Sequence, residues 1–346
     1  MFVALSIFTI ILLGTKRSNI QNINIFFTIC LIIYAILDLY FAPYGADRLN
    51  YEYAFLHTDT FKWNKDPGWG LYTSILYKLT SGDANAFFLI NDIIFTGGFV
   101  YFAYRNFQRG YLWYFLLIVF ISLGYHSGGT NIMRSGLAFS CVFYGLADYM
   151  PGSKHKIRFL IWAFLGCAIH LSTALLLCAL ILCYYFPKKK LYLFIWVVFV
   201  VLSYANLLRF LEPVIVDVLG DDSSRIESYL AGVGQQNNIY RNIGFRFDFV
   251  IYSVVPIIVG YIYLLKYNYN NKVFTTLYCS YLVINTFWLI VIRIPFGDRF
   301  ALISWILIPI IMAYPPLTQN NFPSKKVWLA IAILFPTILN IYYLLK

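Results

Sequence analysis

The sequence predicts an all-α, polytopic integral membrane protein. Three observations lead there. Of 346 residues, 61% are hydrophobic and 12% are charged, and the mean hydropathy is +0.71; soluble domains of this size do not have that composition. The apolar residues run in stretches close to the roughly 20 residues that cross a bilayer as a helix. The net charge of +11 gathers in short loops between those stretches. That distribution orients a chain in a membrane and gives no reason to expect nucleic acid as a partner.

The chain opens on an apolar run with Lys16 and Arg17 behind it. A signal peptide has its basic residues ahead of the run, so a short first helix with its N-terminus outside is expected. About ten transmembrane helices are expected, at 2–14, 25–42, 85–104, 110–126, 131–150, 191–210, 248–265, 273–292, 300–316 and 327–345. The segment 159–186 is also apolar, but at about 42 Å it is too long for one comfortable span. The loops decide how it runs. Lys154, Lys156 and Arg158 precede it and Lys188, Lys189 and Lys190 follow it, with no acid in either loop. By the lysine/arginine rule both loops are cytoplasmic. The segment must then enter and return, as a re-entrant helical hairpin or two short helices, with His170 near the tip.

Two long loops fall outside on this count, near 43–84 and 211–247, and residues 71–80 are expected as a short interfacial helix within the first. The whole chain reads as one membrane domain, without an internal repeat. The six cysteines lie in apolar runs with no Cys-x-x-Cys, so they are expected as small buried hydrophobes with neither a disulfide framework nor a metal site. Phosphate-binding loop, dinucleotide, zinc-protease and nucleophile-elbow motifs are absent. Thirty tyrosines and 32 phenylalanines supply interfacial belts; their abundance does not by itself point to a sugar site.

The stretch from Gly128 to Ala138 reads as a glycine loop turning into an apolar helix. It places Arg134 inside that helix, roughly 6 Å below its mouth. A guanidinium at that depth costs about 3 kcal/mol or more if it faces lipid, and it keeps its proton. It must therefore face a polar cavity or a partner charge; the plainer alternative is a structural salt bridge between helices. Gly136 and Ala138 would let a neighbouring helix approach closely. Arg48, Arg134, Arg241, Arg246, Arg293 and Arg299 all fall on the outer side of this topology, against the orientation rule, and planar forks suit a diphosphate. Asp47, Asp248 and Asp298 lie near arginines in sequence, so loop salt bridges compete with that reading. His170 is the one histidine deep in an apolar run, placed to act as general base or as a structural hydrogen bonder. Asp66-Pro67-Gly68-Trp69 reads as a turn.

Several pieces together resemble the EpsG/Wzy group of bacterial polysaccharide polymerases. They are Asp47-Arg48-Leu49-Asn50-Tyr51, Asp66-Pro67-Gly68-Trp69, Asn131 through Ala138, Ala168 through Ala174, and Arg293 through Phe300. They follow the family's order over most of the chain. Ser135 stands where similar proteins often have glutamine. The resemblance implies a GT-C-like, metal- and cofactor-independent glycosyltransferase of the inner membrane, working on its periplasmic side. It would move a growing glycan from undecaprenyl diphosphate to a new lipid-linked repeat unit, with a chain-length regulator as a possible partner. It implies His170, Arg134 and Asp47 as catalytic, and Arg48, Tyr51, Asp66, Arg241, Arg246, Arg293, Asp298 and Arg299 as substrate-binding. A flippase for lipid-linked oligosaccharide, an O-antigen ligase and a membrane O-acyltransferase remain competing readings. The acyltransferase would need its polar cluster to open inward.

Overall fold

A computed structural model describes residues 1–14, 25–43, 46–58, 66–149, 156–211, 244–294 and 297–344. Among these residues every regular element is helical. The α-helices are α1 (Phe2–Gly14), α2 (Ile25–Tyr40), α3 (Ala46–Leu56), α4 (Pro67–Leu79), α5 (Ala84–Asn106), α6 (Leu112–Phe120), α7 (Leu123–Thr130) and α8 (Met133–Tyr149). They continue with α9 (Lys156–Ile169), α10 (Thr173–Tyr185), α11 (Lys189–Tyr204), α12 (Phe247–Leu265), α13 (Lys272–Ile290), α14 (Gly297–Trp305), α15 (Ile308–Thr318) and α16 (Lys325–Leu344).

Among the described residues, five segments are long and apolar enough to cross a membrane: Ala84–Asn106, Phe247–Leu265, Lys272–Ile290, Arg299–Thr318 and Lys325–Tyr342. A bent pair, Arg109–Phe120 with Leu123–Thr130, makes a sixth if counted as one span. That is fewer than the ten expected from sequence. Helices such as α1, α2 and α8, with 13, 16 and 17 residues, rise only about 20–25 Å, less than the roughly 30 Å hydrocarbon core.

Local chemistry explains where the elements depart from the sequence-based boundaries. The expected single span at 110–126 breaks between α6 and α7 with a 65° bend. Ser122 makes the break: its hydroxyl donates back to the Val119 carbonyl at 2.6 Å and accepts the Tyr125 amide at 3.2 Å, starting a new helix. Gly128 and Gly129, expected in a loop, lie in the last turn of that helix. The expected outer loop 43–84 contains two helices, α3 and α4, and the interfacial helix expected at 71–80 runs from Pro67 to Leu79. The apolar segment 159–186 is two helices interrupted at 170–172.

The chain divides into two compact units, Met1–Thr173 with Pro309–Lys346, and Ala174–Ile308. In the first, α8 packs on α5, α7 and α9, and α9 also packs on α4. A core of Phe55, Trp69, Phe87, Phe88, Met133, Leu137, Cys141 and Ile169 joins α3, α4, α5, α8 and α9. Gly136 lets α8 meet α7: a Cβ there would overlap the Gly128 carbonyl, in keeping with the close approach expected at Gly136. In the second unit, Asn285 of α13 ties its neighbours together. Its amide accepts from Trp196 at 2.8 Å and donates to Ser253 at 3.1 Å and Ser304 at 3.0 Å.

A candidate active site at three helix ends

Three side chains far apart in sequence meet in the first unit. Arg134 lies in the first turn of α8, Asp66 immediately precedes α4, and His170 follows the last residue of α9. Arg134 Nη1 lies 2.9 Å from Asp66 Oδ2. His170 Nδ1 lies 3.1 Å from the same oxygen. The other carboxylate oxygen, Oδ1, accepts the Leu171 amide at 3.1 Å. The Asp66 side chain is 1% exposed, against 9% for Arg134 and 13% for His170. Asp66 is thus the inner member, and the other two stand between it and the surroundings.

The sequence around Asp66 produces this placement. Pro67 starts α4 in the first helical position, where its missing N–H costs nothing. An aspartate before a helix normally caps it, yet the Asp66 carboxylate makes no capping bond here. Its side chain is left for α8 and α9. Gly68 brings α4 and α9 together: a Cβ there would lie 2.6 Å from the Ala168 carbonyl carbon and 2.7 Å from its oxygen. Trp69, 1% exposed, anchors the turn against Tyr51, with ring centroids 5.6 Å apart. What reads as a plain turn in the sequence is a helix start that delivers a carboxylate to the end of another helix.

The protonation states follow. Burial pushes the Asp66 carboxyl up, but the hydrogen bond from His170, the charges of His170 and Arg134, and the Leu171 amide outweigh it and hold Asp66 below the usual carboxylate range. An ionised carboxylate only accepts hydrogen bonds. His170 Nδ1 must therefore be the donor, and in the neutral ring the lone pair sits on Nε2. A carboxylate that fixes the tautomer and orientation of an imidazole is the arrangement that prepares a general base. The guanidinium beside it, in the first turn of a helix whose N-terminal dipole also favours anions, suits a phosphate.

The other residues singled out in the sequence have different surroundings. Arg48, 4% exposed, caps the C-terminal end of α2, donating to the Leu39 and Tyr40 carbonyls at 2.9 Å each. It also lies 4.3 Å from the Phe88 ring centroid. Asp47 lies in the first turn of α3, and Tyr51 backs Trp69. In the second unit, Arg293 similarly caps α11, donating to the Ser203 carbonyl at 3.2 Å and to Tyr204 at 2.8 Å. Arg246 grips Asp248 through two hydrogen bonds, at 2.9 and 2.6 Å, and stacks 3.7 Å over Phe249. Arg299 lies in the first turn of α14. Arg241 and the side chain of Asp298 lie outside the described residues.

Sequence reasoning missed one contributor. The Leu171 amide carries no side-chain signature. Elsewhere in the same unit, Asn91 and Asp92 of α5 are wholly buried, at 0% and 1% exposure. A wholly buried carboxylate in a helix is a functional signal by default.

An α-helical membrane bundle with a buried carboxylate–histidine–arginine cluster is the class of protein these features define. The EpsG family profile matches residues 3–346. The chain belongs to the EpsG family, which is associated with polysaccharide polymerase-like function. Neither a curated protein nor a solved structure matches it.

Proposed function

We propose that this chain is a lipid-linked oligosaccharide polymerase of the Wzy type. It transfers a growing glycan from undecaprenyl diphosphate to the repeat unit carried on a second undecaprenyl diphosphate, on the periplasmic face of the inner membrane. In this reading the shorter apolar helices are further spans of a ten-span, GT-C-like architecture, with α9 and α10 as the re-entrant pair. The observation that carries the reaction is the shared carboxylate oxygen: Asp66 holds a guanidinium and an imidazole side by side.

The steps balance without an added co-reactant. His170 Nε2 takes the proton of the acceptor hydroxyl as its oxygen bonds to the donor's anomeric carbon. The bond from that carbon to the diphosphate oxygen breaks, and its electron pair leaves on the diphosphate. Arg134 stabilises the charge developing there, and Asp66 stabilises the imidazolium that forms. Asp47 stands as the alternative base in this reading.

Gel analysis of surface polysaccharide from a deletion strain tests the assignment. Caps carrying a single repeat unit are the expected result. Loss of all added sugar would instead mean a flippase or a ligase.

A further inference from the structure

We infer that Asp66 is an internal competitor for the donor's diphosphate, so that donor binding and the arming of the His170 base are one event. The inference rests on the polymerase reading and adds an order of events to it. Its basis is that one atom, Oδ2, lies 2.9 Å from Arg134 Nη1 and 3.1 Å from His170 Nδ1. Asp66 is 1% exposed, so it acts through its two partners and is a positioning residue.

A phosphate prefers the same guanidinium edge that a carboxylate does. When a diphosphate takes that edge, Arg134 turns from Oδ2 toward the ligand. Oδ2 then serves a single donor, and its bond to His170 Nδ1–H strengthens. Charge from the carboxylate that Arg134 had neutralised now bears on the imidazole, and Nε2 becomes a better proton acceptor. Without donor, Arg134 keeps the base weak; with donor, the base is ready at the moment an acceptor can use it. The Oδ1 bond to the Leu171 amide, 3.1 Å long, holds the carboxylate in place through the exchange.

Coupling of this kind is reciprocal, which makes it measurable with inorganic pyrophosphate as the probe. Its binding to the purified full chain in nanodiscs is measured by calorimetry. Asp66→Asn removes the competing charge and keeps an acceptor for Leu171; pyrophosphate should bind at least about 5-fold tighter. His170→Ala leaves Oδ2 to Arg134 alone, and binding should weaken by a similar factor although His170 touches no phosphate. A merely structural role for Asp66 and His170 would weaken binding in both variants. Arg134→Gln should abolish binding. If Arg134→Gln abolishes it while the other two variants bind like the parent, or both bind more weakly, the competition is wrong and the diphosphate role of Arg134 stands. If Arg134→Gln binds as the parent does, the diphosphate reading itself fails. Should Asp66→Asn not fold, Asp66→Ser, which also removes the charge, takes its place: tighter pyrophosphate binding supports the competition, and unchanged or weaker binding overturns it.

Discussion

Arg134 and His170 carry separable duties, and single substitutions divide them. Arg134→Lys keeps the charge and loses the planar fork. Turnover should fall by about 10²-fold or more, with normal amounts of membrane-inserted protein. Arg134→Ala strands the buried Asp66 charge, and breaking such a pair costs about 3–5 kcal/mol; normal polymer at a normal protein level from that variant would exclude Arg134 from the chemistry. His170→Gln retains a hydrogen-bonding side chain but no base, and polymerisation by folded protein should drop by about 10²-fold. Turnover within a few-fold of the parent would move the base to Asp47. Asp66 adds a pH signature. Its carboxyl is held low in the folded protein, so its stabilising contribution is present above the unfolded value of about 4 and is lost as pH falls through the folded value. Thermal unfolding followed by tryptophan fluorescence should show that acid limb in the parent and a shallower one in Asp66→Asn.

Helix ends set the geometry, and Gly68 is the contact on which α4 and α9 converge. Gly68→Ala would push a methyl onto the Ala168 backbone, and overpacking of this kind costs about 1–3 kcal/mol. The larger expected effect is on activity, since Asp66 withdraws from His170 and Leu171. Adding Ala168→Gly should not restore it, because the nearest obstacles are the carbonyl carbon and oxygen at 2.6 and 2.7 Å; recovery in that double variant would show that the side chain alone was in the way. The elements differ in how visible they were beforehand. Arg134 announced itself because a charge inside an apolar helix demands an account. Asp66 did not, because Asp-Pro-Gly is common turn chemistry and its partners lie 68 and 104 positions away. The α6–α7 break depends on one serine hydroxyl within an apolar run. Helix α3 has Asp47, Arg48, Asn50 and Glu52 in a row of mixed polarity, so no period marked it as a helix.

Across the whole molecule, composition and loop charge spoke for a membrane protein, and family membership over residues 3–346 agrees with the ordered motifs. The number of spans was less legible, because several of the expected spans are helices shorter than the five described segments long and apolar enough to cross a membrane. Arg48 and Arg293 donate to the last carbonyls of α2 and α11, contacts that leave no trace in sequence. The side assignment is open to direct measurement. Cysteines placed at Lys156 and Lys189, which flank α9 and α10, should both be protected from an impermeant thiol reagent added outside intact cells. Labelling at 189 alone would exclude an even number of crossings between them.

The Leu171 amide offers a clock for the site. It sits where the helical ladder is interrupted, a place where backbone protons ordinarily trade with solvent quickly. Its bond to Asp66 Oδ1 should slow that trade to a rate resembling a helix interior. Deuterium uptake at this single position therefore reports whether α4 and α9 are latched. A peptide spanning 170–172 that gains deuterium as fast as an open turn would mean the three helix ends come apart on the timescale of turnover.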